Sequence, residues 1–409
     1  MARNADEVGA GRIWFNRTPA RADAKESARV IRSVAVDAGR GADERFMQRA
    51  LELARLGLGR TAPNPMVGCV IVKNGQIVGE GWHKGAGLPH AEPEALAEAG
   101  ERSRGARAYV TLEPCNHQGR TPPCTEALLK AGIAEVVYAI SDPHALAAGG
   151  ATRLQGGGMR VRAGVLESEA RELNRAWFHT LIAERPYVIA KAAMSLDGRI
   201  ATGGGHSKWI TGVLAREKGH EIRRMADAII AGAGTIIADD PSLTARPSSD
   251  QFGGEEHYPW RIVLDSKGRA SPGAKAFDRI GKGAALATTS AASGKRLDRY
   301  REHGVEPLIC AADDHGRPRL DDLMEILHKR GVVTAMVEGG GEVLGAFLDA
   351  DLIDEVWLFI APILIGGGQP AFAGIGADRL SDIHRFDFAP PETIGPDLFV
   401  RGQRVRGGG

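Results

Sequence analysis

Residues 111–124, TLEPCNHQGRTPPC, contain Cys115 and Cys124, two of only four cysteines in the chain, within a loop that also carries three prolines. The run before this loop, ARAYVTL at 106–112, is typical of a buried strand, and TEALLKAG at 125–132 is typical of a helix. The loop therefore joins a strand to a helix, as in α/β domains. Two cysteines cannot complete a tetrahedral metal site, so a metal here would need other ligands.

Strand-like and helical segments alternate on both sides of this loop. The patterns predict a helix at 43–60, a hairpin at Asn74-Gly75, a helix at 90–100, a strand at 134–140, a glycine-rich stretch at 147–158 and a helical run at 161–184. Arg185 and Pro186 separate this run from a new apolar strand, so a domain boundary is expected near Arg185. We predict an α/β protein with a flexible extension at 1–42, domains at 43–187 and 188–406, and a mobile surface loop at 248–257.

The composition favours an enzyme that acts on small molecules. The 52 basic and 51 acidic residues nearly cancel, so no large electrostatic field favours nucleic acid or an anionic membrane. No apolar run approaches the roughly 18 residues that a membrane-spanning helix needs. Four cysteines give no disulfide framework, which fits a reducing compartment. We therefore expect a cytoplasmic protein without nucleic-acid or membrane partners.

A metal site becomes plausible when the HAE motif upstream of the loop is included. His90, Cys115 and Cys124 offer three zinc ligands and leave the fourth position open for water, which is the pattern of catalytic zinc. Zinc lowers the pKa of bound water, and Glu92 would then collect the proton and deliver it to a leaving amine. The set partly matches the nucleobase deaminase signature H-x-E followed by P-C-x-x-C, because eight residues separate the two cysteines here.

The order of motifs resembles the bifunctional deaminase/reductase family of riboflavin biosynthesis. The matching blocks are NPMVGCVIVKNGQIVGEGWHKGAGLPHAE at 64–92, YVTLEPCNHQGRTPPC at 109–124, SLDGRIATGGGHSKWITG at 195–212, DAIIAGAGTIIADDPSLTAR at 227–246 and VEGGGEVLGAFL at 337–348. In that family the longer spacing between the cysteines is normal. The resemblance implies a cytidine-deaminase-like amino-terminal domain and a dihydrofolate-reductase-like carboxy-terminal domain.

The resemblance also implies two consecutive reactions on a phosphoribosyl pyrimidine, with zinc and NADPH as cofactors. The first domain would remove the 2-amino group of 2,5-diamino-6-(5-phosphoribosylamino)pyrimidin-4-one, and the second would reduce the ribosyl group to ribityl. Relatives commonly self-associate, so a homo-oligomer is one of the open alternatives, and the sequence does not fix the oligomeric state. The sequence has no G-x-G-x-x-G fingerprint in its second half, which argues against a Rossmann domain for the nicotinamide cofactor.

Individual residues carry over from the family by position. His90, Cys115 and Cys124 match the metal ligands and Glu92 the catalytic proton shuttle. Positions that match substrate contacts are Asn64, Arg120, Asp142, Ser207, Arg223, Leu243, Arg246 and Glu338. Positions that match cofactor contacts are Ala193, Trp209, Thr235, Asp239, Ser266, Gly340, Gly341, Glu342, Val343, Leu344, Gly345 and Ala346. Either Asp239 or Asp240 could assist proton transfer at the ribose, and the sequence does not distinguish them.

Departures from the family and other functions stay open at this point. Glu94, His144 and Ala145 replace residues that relatives commonly use, which leaves the base and phosphate contacts of the first domain undefined. The alternatives are a reductase with an impaired deaminase, a zinc deaminase acting on tRNA or another single-stranded nucleic acid, and a zinc-stabilised binding module. The near-zero net charge and 5% aromatic content argue against the nucleic-acid deaminase. Ammonia release would exclude the impaired deaminase.

Overall fold

The computed structural model describes residues 41–119, 121–144, 147–246 and 258–406. In chain order the elements of the first half are α1 (Ala42–Arg55), β1 (Gly68–Lys73), β2 (Gln76–Trp82), α2 (Ala91–Ala99), a 3-10 turn (Gly100–Ser103), β3 (Arg107–Leu112), α3 (Cys124–Ala131), β4 (Glu135–Ile140), α4 (Gly150–Gly156), β5 (Arg160–Ala163), α5 (Glu167–Leu173) and α6 (Arg175–Ala183). Most of the predicted extension and the whole predicted loop at 248–257 lie outside the described residues.

The second half contains more strands than the first. Its elements are β6 (Tyr187–Ser195), β7 (Arg199–Ala201), α7 (Val213–Arg223), β8 (Ala228–Gly232), α8 (Ala233–Asp239), β9 (Trp260–Leu264), a 3-10 turn (Lys275–Phe277), β10 (Ala284–Thr288), α9 (Gly294–Glu302), β11 (Glu306–Ile309), α10 (Leu320–Lys329), β12 (Thr334–Val337), α11 (Gly341–Asp349), β13 (Glu355–Ala361), β14 (Gln369–Pro370), β15 (Arg385–Phe388), β16 (Glu392–Ile394) and β17 (Asp397–Val405). None of the described helices is both long and apolar enough to span a bilayer.

The first half forms one five-stranded sheet in the order β2-β1-β3-β4-β5. The predicted hairpin is confirmed: β1 and β2 pair antiparallel, and Asn74 and Gly75 between them have φ values of 51° and 75°, as a tight turn requires. Strands β3, β4 and β5 are parallel, and buried apolar residues cover both faces of the sheet. Parallel strands expose their carboxyl ends along one edge, where the loop at 111–124 begins.

Two details of the first half differ from expectation. The glycine-rich stretch contains α4, and the start of the predicted helical run, at 161–163, lies in β5 instead. Four residues of mixed polarity at a sheet edge carry little periodicity, so β5 is specified by its pairing with β4 rather than by local pattern. The remainder of the run forms two helices, α5 and α6, that meet at Asn174.

The second half forms a ten-stranded sheet that is parallel from β11 to β13 and antiparallel beyond it. The order is β11-β10-β9-β8-β12-β6-β13-β17-β15, with β16 also paired to β17. Strands β7 and β14 form a separate two-stranded sheet. Apolar clusters again cover both faces of the large sheet. The second half is therefore a three-layer α/β domain, and the carboxyl ends of β6, β8, β9 and β12 lie side by side at one edge.

Helix α6 joins the two sheets through buried polar contacts. The Arg175 guanidinium donates to the Glu355 carboxylate at 2.7 Å, and that carboxylate also accepts from Tyr187 Oη at 3.1 Å and Trp357 Nε1 at 2.7 Å. The Glu355 side chain is completely buried. Because each carboxylate oxygen has a donor, the buried charge is compensated, and the contact fixes α6 against the second sheet.

His179 on α6 should make this junction sensitive to acid. Burial lowers the pKa of His179 to about 4, although the nearby Asp354 carboxylate opposes this and Arg185 and Arg406 reinforce it. An unfolded histidine has a pKa near 6.5. Between pH 6.5 and 4 the unfolded chain therefore binds a proton at this histidine that the folded chain does not bind. We expect about 2–3 kcal/mol of unfolding free energy to be lost as pH falls from 6.5 towards 4. Urea unfolding of wild type and His179→Gln across this range measures the difference.

His315 provides a control for the effect of His179. His315 is exposed and has no comparable burial, so His315→Gln should keep the wild-type dependence on pH. If His179→Gln and wild type lost stability in parallel between pH 6.5 and 4, the assignment to His179 would be wrong.

Candidate active sites

Three predicted ligand side chains converge at the carboxyl edge of the first sheet. His90 immediately precedes α2, Cys115 follows β3, and Cys124 is the first residue of α3. The Nδ1 atom of His90 lies 3.6 Å from Cys115 Sγ and 3.3 Å from Cys124 Sγ, and the three donor atoms all lie within 4.8 Å of one another. One imidazole and two sulfurs at this separation fit a zinc ion with one coordination position left open.

The protein stabilises negative charge on the first of the two sulfurs. Cys115 Sγ accepts a hydrogen bond from the backbone N–H of Cys124 at 3.4 Å. Hydrogen bonding by Cys124 is the largest influence and, together with His90, it outweighs burial and lowers the pKa of the Cys115 thiol to about 4. The amino end of α3 adds a favourable dipole. Cys115 is thus prepared to act as a thiolate ligand.

Glu92 lies in the first turn of α2, beside the three ligands. Only 3% of its surface is exposed, and burial, aided by the negative charge on Cys115, raises the pKa of its carboxyl to about 7. A group whose pKa is close to neutrality can both accept and donate a proton at physiological pH. The predicted proton shuttle therefore has a suitable environment. Pro93 is accommodated because first-turn N–H groups have no partner within a helix.

Buried contacts support the loop that carries Cys115. The Glu113 carboxylate accepts hydrogen bonds from the backbone N–H groups of Asp142 at 3.3 Å and Ala151 at 2.9 Å, which joins the loop to the start of α4. A Cβ atom on Gly150 would lie 1.8 Å from the Pro114 carbonyl oxygen. Any side chain at position 150 would therefore displace the backbone beside Cys115, which explains one glycine of the stretch at 147–158.

Asn64 is held in the same cavity by a histidine that sequence reasoning missed. The Asn64 side-chain nitrogen lies 3.0 Å from His83 Nε2, and His83 Nδ1 lies 3.1 Å from the Pro89 carbonyl oxygen. Burial lowers the pKa of His83, so the ring is neutral and both contacts form if Nδ1 carries the proton. The Asn64 carbonyl then remains available to a ligand. His83, directly after the last residue of β2, Trp82, was the available signal in the sequence.

The cavity around these residues has a volume of about 510 Å³, within the range of small-molecule sites. Asp142 and His144 also line it, whereas Arg120 and Ala145 lie outside the described residues. Glu94, on the side of α2 near Lys84, forms an ion pair with that residue. Four further lining residues come from the second sheet domain, namely His328, Gly331, Val332 and Val333. Nothing in the sequence had connected them with this site.

A buried charge cluster lies at the edge of the second sheet. Glu338 follows β12, and its two carboxylate oxygens accept from Arg223 at 2.6 and 2.7 Å, while Lys191 Nζ lies 3.7 Å away. Burial alone would raise the pKa of Glu338, but the charges of Arg223 and Lys191 overcome it and lower this pKa to about 2. The sequence led us to expect that the Arg223 guanidinium contacts a substrate phosphate. In the structure this guanidinium donates to Glu338 instead.

The other substrate positions predicted in the second half differ in their contacts and in their exposure to solvent. Arg223 also donates to the Thr244 carbonyl oxygen at 3.1 Å, which anchors the segment that contains Leu243 and Arg246. Leu243 is 3% exposed and has a positive φ of 51°, whereas Arg246 is exposed. Arg246 is therefore better placed than Arg223 to meet an incoming anion. Ser207 is half-buried.

The predicted cofactor positions gather because they follow neighbouring parallel strands. Ser266 follows β9, Thr235 follows β8 within α8, and Gly340 follows β12, while Ala193 lies in β6. These strands are adjacent in the order β9-β8-β12-β6. The turn at 339–340 has positive φ values at both glycines and leads into α11, which carries the predicted positions Gly341, Glu342, Val343, Leu344, Gly345 and Ala346.

The two candidate aspartates have different partners, and Trp209 lies at the surface. Lys208 Nζ lies 3.0 Å from Asp239, so Asp239 faces the segment that contains Trp209. Asp240 instead contacts Lys275 and accepts from its backbone N–H at 2.9 Å. Trp209 is 69% exposed, and the Arg216 guanidinium lies 4.4 Å above its ring.

Two models of known protein families match different parts of the chain. Residues 40–140 match the family model described as the cytidine and deoxycytidylate deaminase zinc-binding region. Residues 186–400 match the model described as the RibD C-terminal domain. The first match contains all three converging ligands and Glu92, and the second contains the cluster at Glu338.

Full-length relatives resemble the chain over both halves. The riboflavin biosynthesis protein RibD of Escherichia coli is 41% identical over 365 residues, which are 87% of this chain and 98% of that protein. The structure of Acinetobacter baumannii RibD is 38% identical with a TM-score of 0.81, covering 89% of this chain and 99% of that one. A Thermotoga maritima structure, described as a diaminohydroxyphosphoribosylaminopyrimidine deaminase/5-amino-6-(5-phosphoribosylamino)uracil reductase, is 36% identical with a TM-score of 0.77 over 89% and 99% of the two chains.

Proposed function

This chain belongs to the RibD family of riboflavin biosynthesis proteins, and from that premise we propose how its residues divide the deaminase and reductase reactions. Residues 43–187 would hydrolyse the 2-amino group of 2,5-diamino-6-(5-phosphoribosylamino)pyrimidin-4-one. Residues 188–406 would then reduce the ribosyl side chain to ribityl. The observation that supports the first assignment most is the convergence of His90, Cys115 and Cys124 within 4.8 Å beside buried Glu92.

In the deaminase domain, His90, Cys115 and Cys124 would hold zinc. When bound, zinc lowers the pKa of a coordinated water towards neutrality. Glu92 would accept the proton released from water and pass it to the leaving amino group, so that ammonia departs and a carbonyl remains. Its raised pKa supports both directions of transfer. Asn64, oriented by His83, would hold the pyrimidine through its side-chain carbonyl.

In the reductase domain, the glycine turn at 339–340 and the amino end of α11 would bind the cofactor phosphates through backbone N–H groups. NADPH supplies the hydride when bound. Glu338, held by Arg223 and Lys191, would position the ribose, and Arg246 would contact its phosphate. Asp239, rather than Asp240, would lie beside the reacting group because Asp240 is turned towards Lys275.

Removal of metal should separate the two reactions. Treatment with a chelator, verified by metal analysis, should lower ammonia release by at least 100-fold, because only the first reaction depends on zinc-activated water. NADPH oxidation with the deaminated substrate should remain within twofold of the untreated value. Added zinc should restore ammonia release. Parallel loss of both activities would contradict the assignment of the two reactions to separate domains.

A further inference from the structure

The loop that carries Asn64 lies between α1 and β1 and lines the deaminase cavity. Asn64 is flanked by Pro63 and Pro65, and neither proline has a backbone N–H to donate. The backbone N–H of Asn64 donates to the Thr61 carbonyl oxygen at 2.8 Å, which closes a turn at the start of the loop. We call residues 61–67 the Asn64 loop.

A buried asparagine, distant along the chain, holds the end of the Asn64 loop. The backbone N–H of Met66 donates to Asn174 Oδ1 at 2.8 Å, and Asn174 Nδ2 donates to the Met66 carbonyl oxygen at 2.9 Å. Only one orientation of the amide satisfies both contacts, because one needs an acceptor and the other a donor. Asn174 is 2% exposed and lies 108 positions after Met66. Both polar groups of the Met66 backbone are therefore bonded to one remote side chain.

Asn174 occupies a position where asparagine usually bonds to the helix that follows it. It immediately precedes α6, and an asparagine there commonly accepts a hydrogen bond from a backbone N–H of the first turn. Within the described part of the chain, the Asn174 side chain makes no such bond to α6. Its amide is directed to Met66 instead. The contact with the Asn64 loop thus replaces the usual local contact.

The backbone of Met66 is closely coupled to the side chain of Asn64. Only Pro65 lies between these two residues. The ring of Pro65 fixes its own φ, and the same proline restricts the backbone of the residue before it, which is Asn64. Few free torsions therefore separate the two residues. By holding Met66, Asn174 fixes the direction in which Asn64 leaves the backbone.

His83 completes the support of Asn64 from the other side of the amide. The Asn64 side-chain nitrogen lies 3.0 Å from His83 Nε2, and the backbone N–H of His83 donates to the Val67 carbonyl oxygen at 2.9 Å. His83 therefore determines how the Asn64 amide is turned, whereas Asn174 determines the path of the backbone that carries it.

We propose that Asn174 is a positioning residue for deamination, which holds the Asn64 loop so that the Asn64 side-chain carbonyl faces the pyrimidine. This inference rests on the proposed deaminase function of residues 43–187. Asn174 does not line the cavity, so it acts through Asn64. The next residue, Arg175, donates to Glu355 of the second sheet at 2.7 Å. The support of the pyrimidine loop is therefore continuous with the junction between the two domains.

The test compares Asn174→Ala with Ser103→Ala in the zinc-loaded full-length protein. Steady-state ammonia release by Asn174→Ala should show a KM about 3- to 10-fold higher, as expected when a neutral hydrogen bond to the substrate is lost. Its kcat should stay within about twofold, because this bond forms in the ground state and the transition state alike. Ser103 is buried and donates to the Gly100 carbonyl oxygen at 2.7 Å, outside the Asn64 loop. Ser103→Ala should keep the wild-type KM.

A double variant shows whether Asn174 acts through Asn64. If it does, Asn64→Ala/Asn174→Ala should have the KM of Asn64→Ala, rather than the product of the two separate increases. A general structural defect would multiply the two increases instead. Asn174→Ser provides a second variant whose folding is favoured, because serine is a good residue before a helix but is too short to bond both groups of Met66. Its KM should rise as in Asn174→Ala.

Zinc content and NADPH oxidation with the deaminated substrate report whether the variants are folded, and both should equal the wild-type values. A wild-type KM in the folded Asn174 variants, a multiplied KM in the double variant, or a lowered kcat with unchanged KM would each overturn this inference. These results would leave the deaminase assignment intact. Absence of ammonia release from the unaltered, zinc-loaded protein would overturn both.

Discussion

Replacing Glu92 with glutamine should lower kcat for deamination by about 10³-fold or more, at the upper end of what positioned proton transfer contributes. Glutamine has nearly the same shape as glutamate, so the packing around this buried side chain should be retained. The amide cannot take a proton from water and return it to the leaving amine. The loss should therefore appear in kcat, measured as ammonia release at saturating substrate.

Two further measurements separate a chemical defect from a structural one. Metal analysis of Glu92→Gln should show the wild-type zinc content, because the three proposed ligands are unchanged. NADPH oxidation with the deaminated substrate should also be unchanged. Glu98→Gln is a matched control, since Glu98 lies on the same helix at an exposed position. If Glu92→Gln kept more than a tenth of the wild-type kcat, Glu92 would not be the proton shuttle.

Replacing Glu338 with glutamine should destabilise the protein and stop the reductase. The Glu338 side chain is 5% exposed and compensates the buried charge of Arg223 as well as that of Lys191. Removing one member of a buried ion pair typically costs about 3–5 kcal/mol, because the partner charge remains buried. We expect a loss of this size in the free energy of unfolding, measured by denaturant titration, together with a reductase rate reduced at least 100-fold.

The pH dependence of this loss provides an internal check. The pKa of Glu338 is about 2 in the folded protein and 4.5 for an unperturbed glutamate, so its contribution is present above pH 4.5 and disappears as the pH falls towards 2. The stability difference between wild type and Glu338→Gln should shrink over that range. Glu325→Gln, which alters an exposed ion pair, should change stability by about 0.5 kcal/mol or less. A difference that stayed constant down to pH 2 would reject the ion-pair explanation.

Much of the fold was predictable because its elements follow local periodicity. The buried strands before and after the cysteine loop and the hairpin at Asn74-Gly75 are confirmed. Strand β5 and helix α4 were not predicted. Strand β5 depends on its pairing with β4, and α4 begins at a glycine required by the nearby Pro114 carbonyl oxygen. Such contacts leave no periodic signal in the sequence.

Candidate metal ligands and a candidate proton shuttle could be named from the sequence because each chemical function needs a particular residue type. Their environments could not be predicted in the same way. The engagement of Arg223 by Glu338, the orientation of Asn64 by His83 and the separation of Asp239 from Asp240 all depend on residues distant along the chain. Functional groups can therefore be identified from a sequence, whereas the residues that orient them can be identified only from the structure.

By itself, the sequence determined the α/β class, the two-domain order and the three side chains proposed to bind zinc, since periodicity and ligand chemistry act over short stretches of chain. Only the tertiary structure decided that the deaminase cavity includes His328 and Val333 from the second domain. These residues lie more than 200 positions beyond His90, and their approach is set by buried contacts of Asp227, Arg175 and Glu355. Contacts between distant elements carry no local pattern, because they arise from the packing of two complete domains.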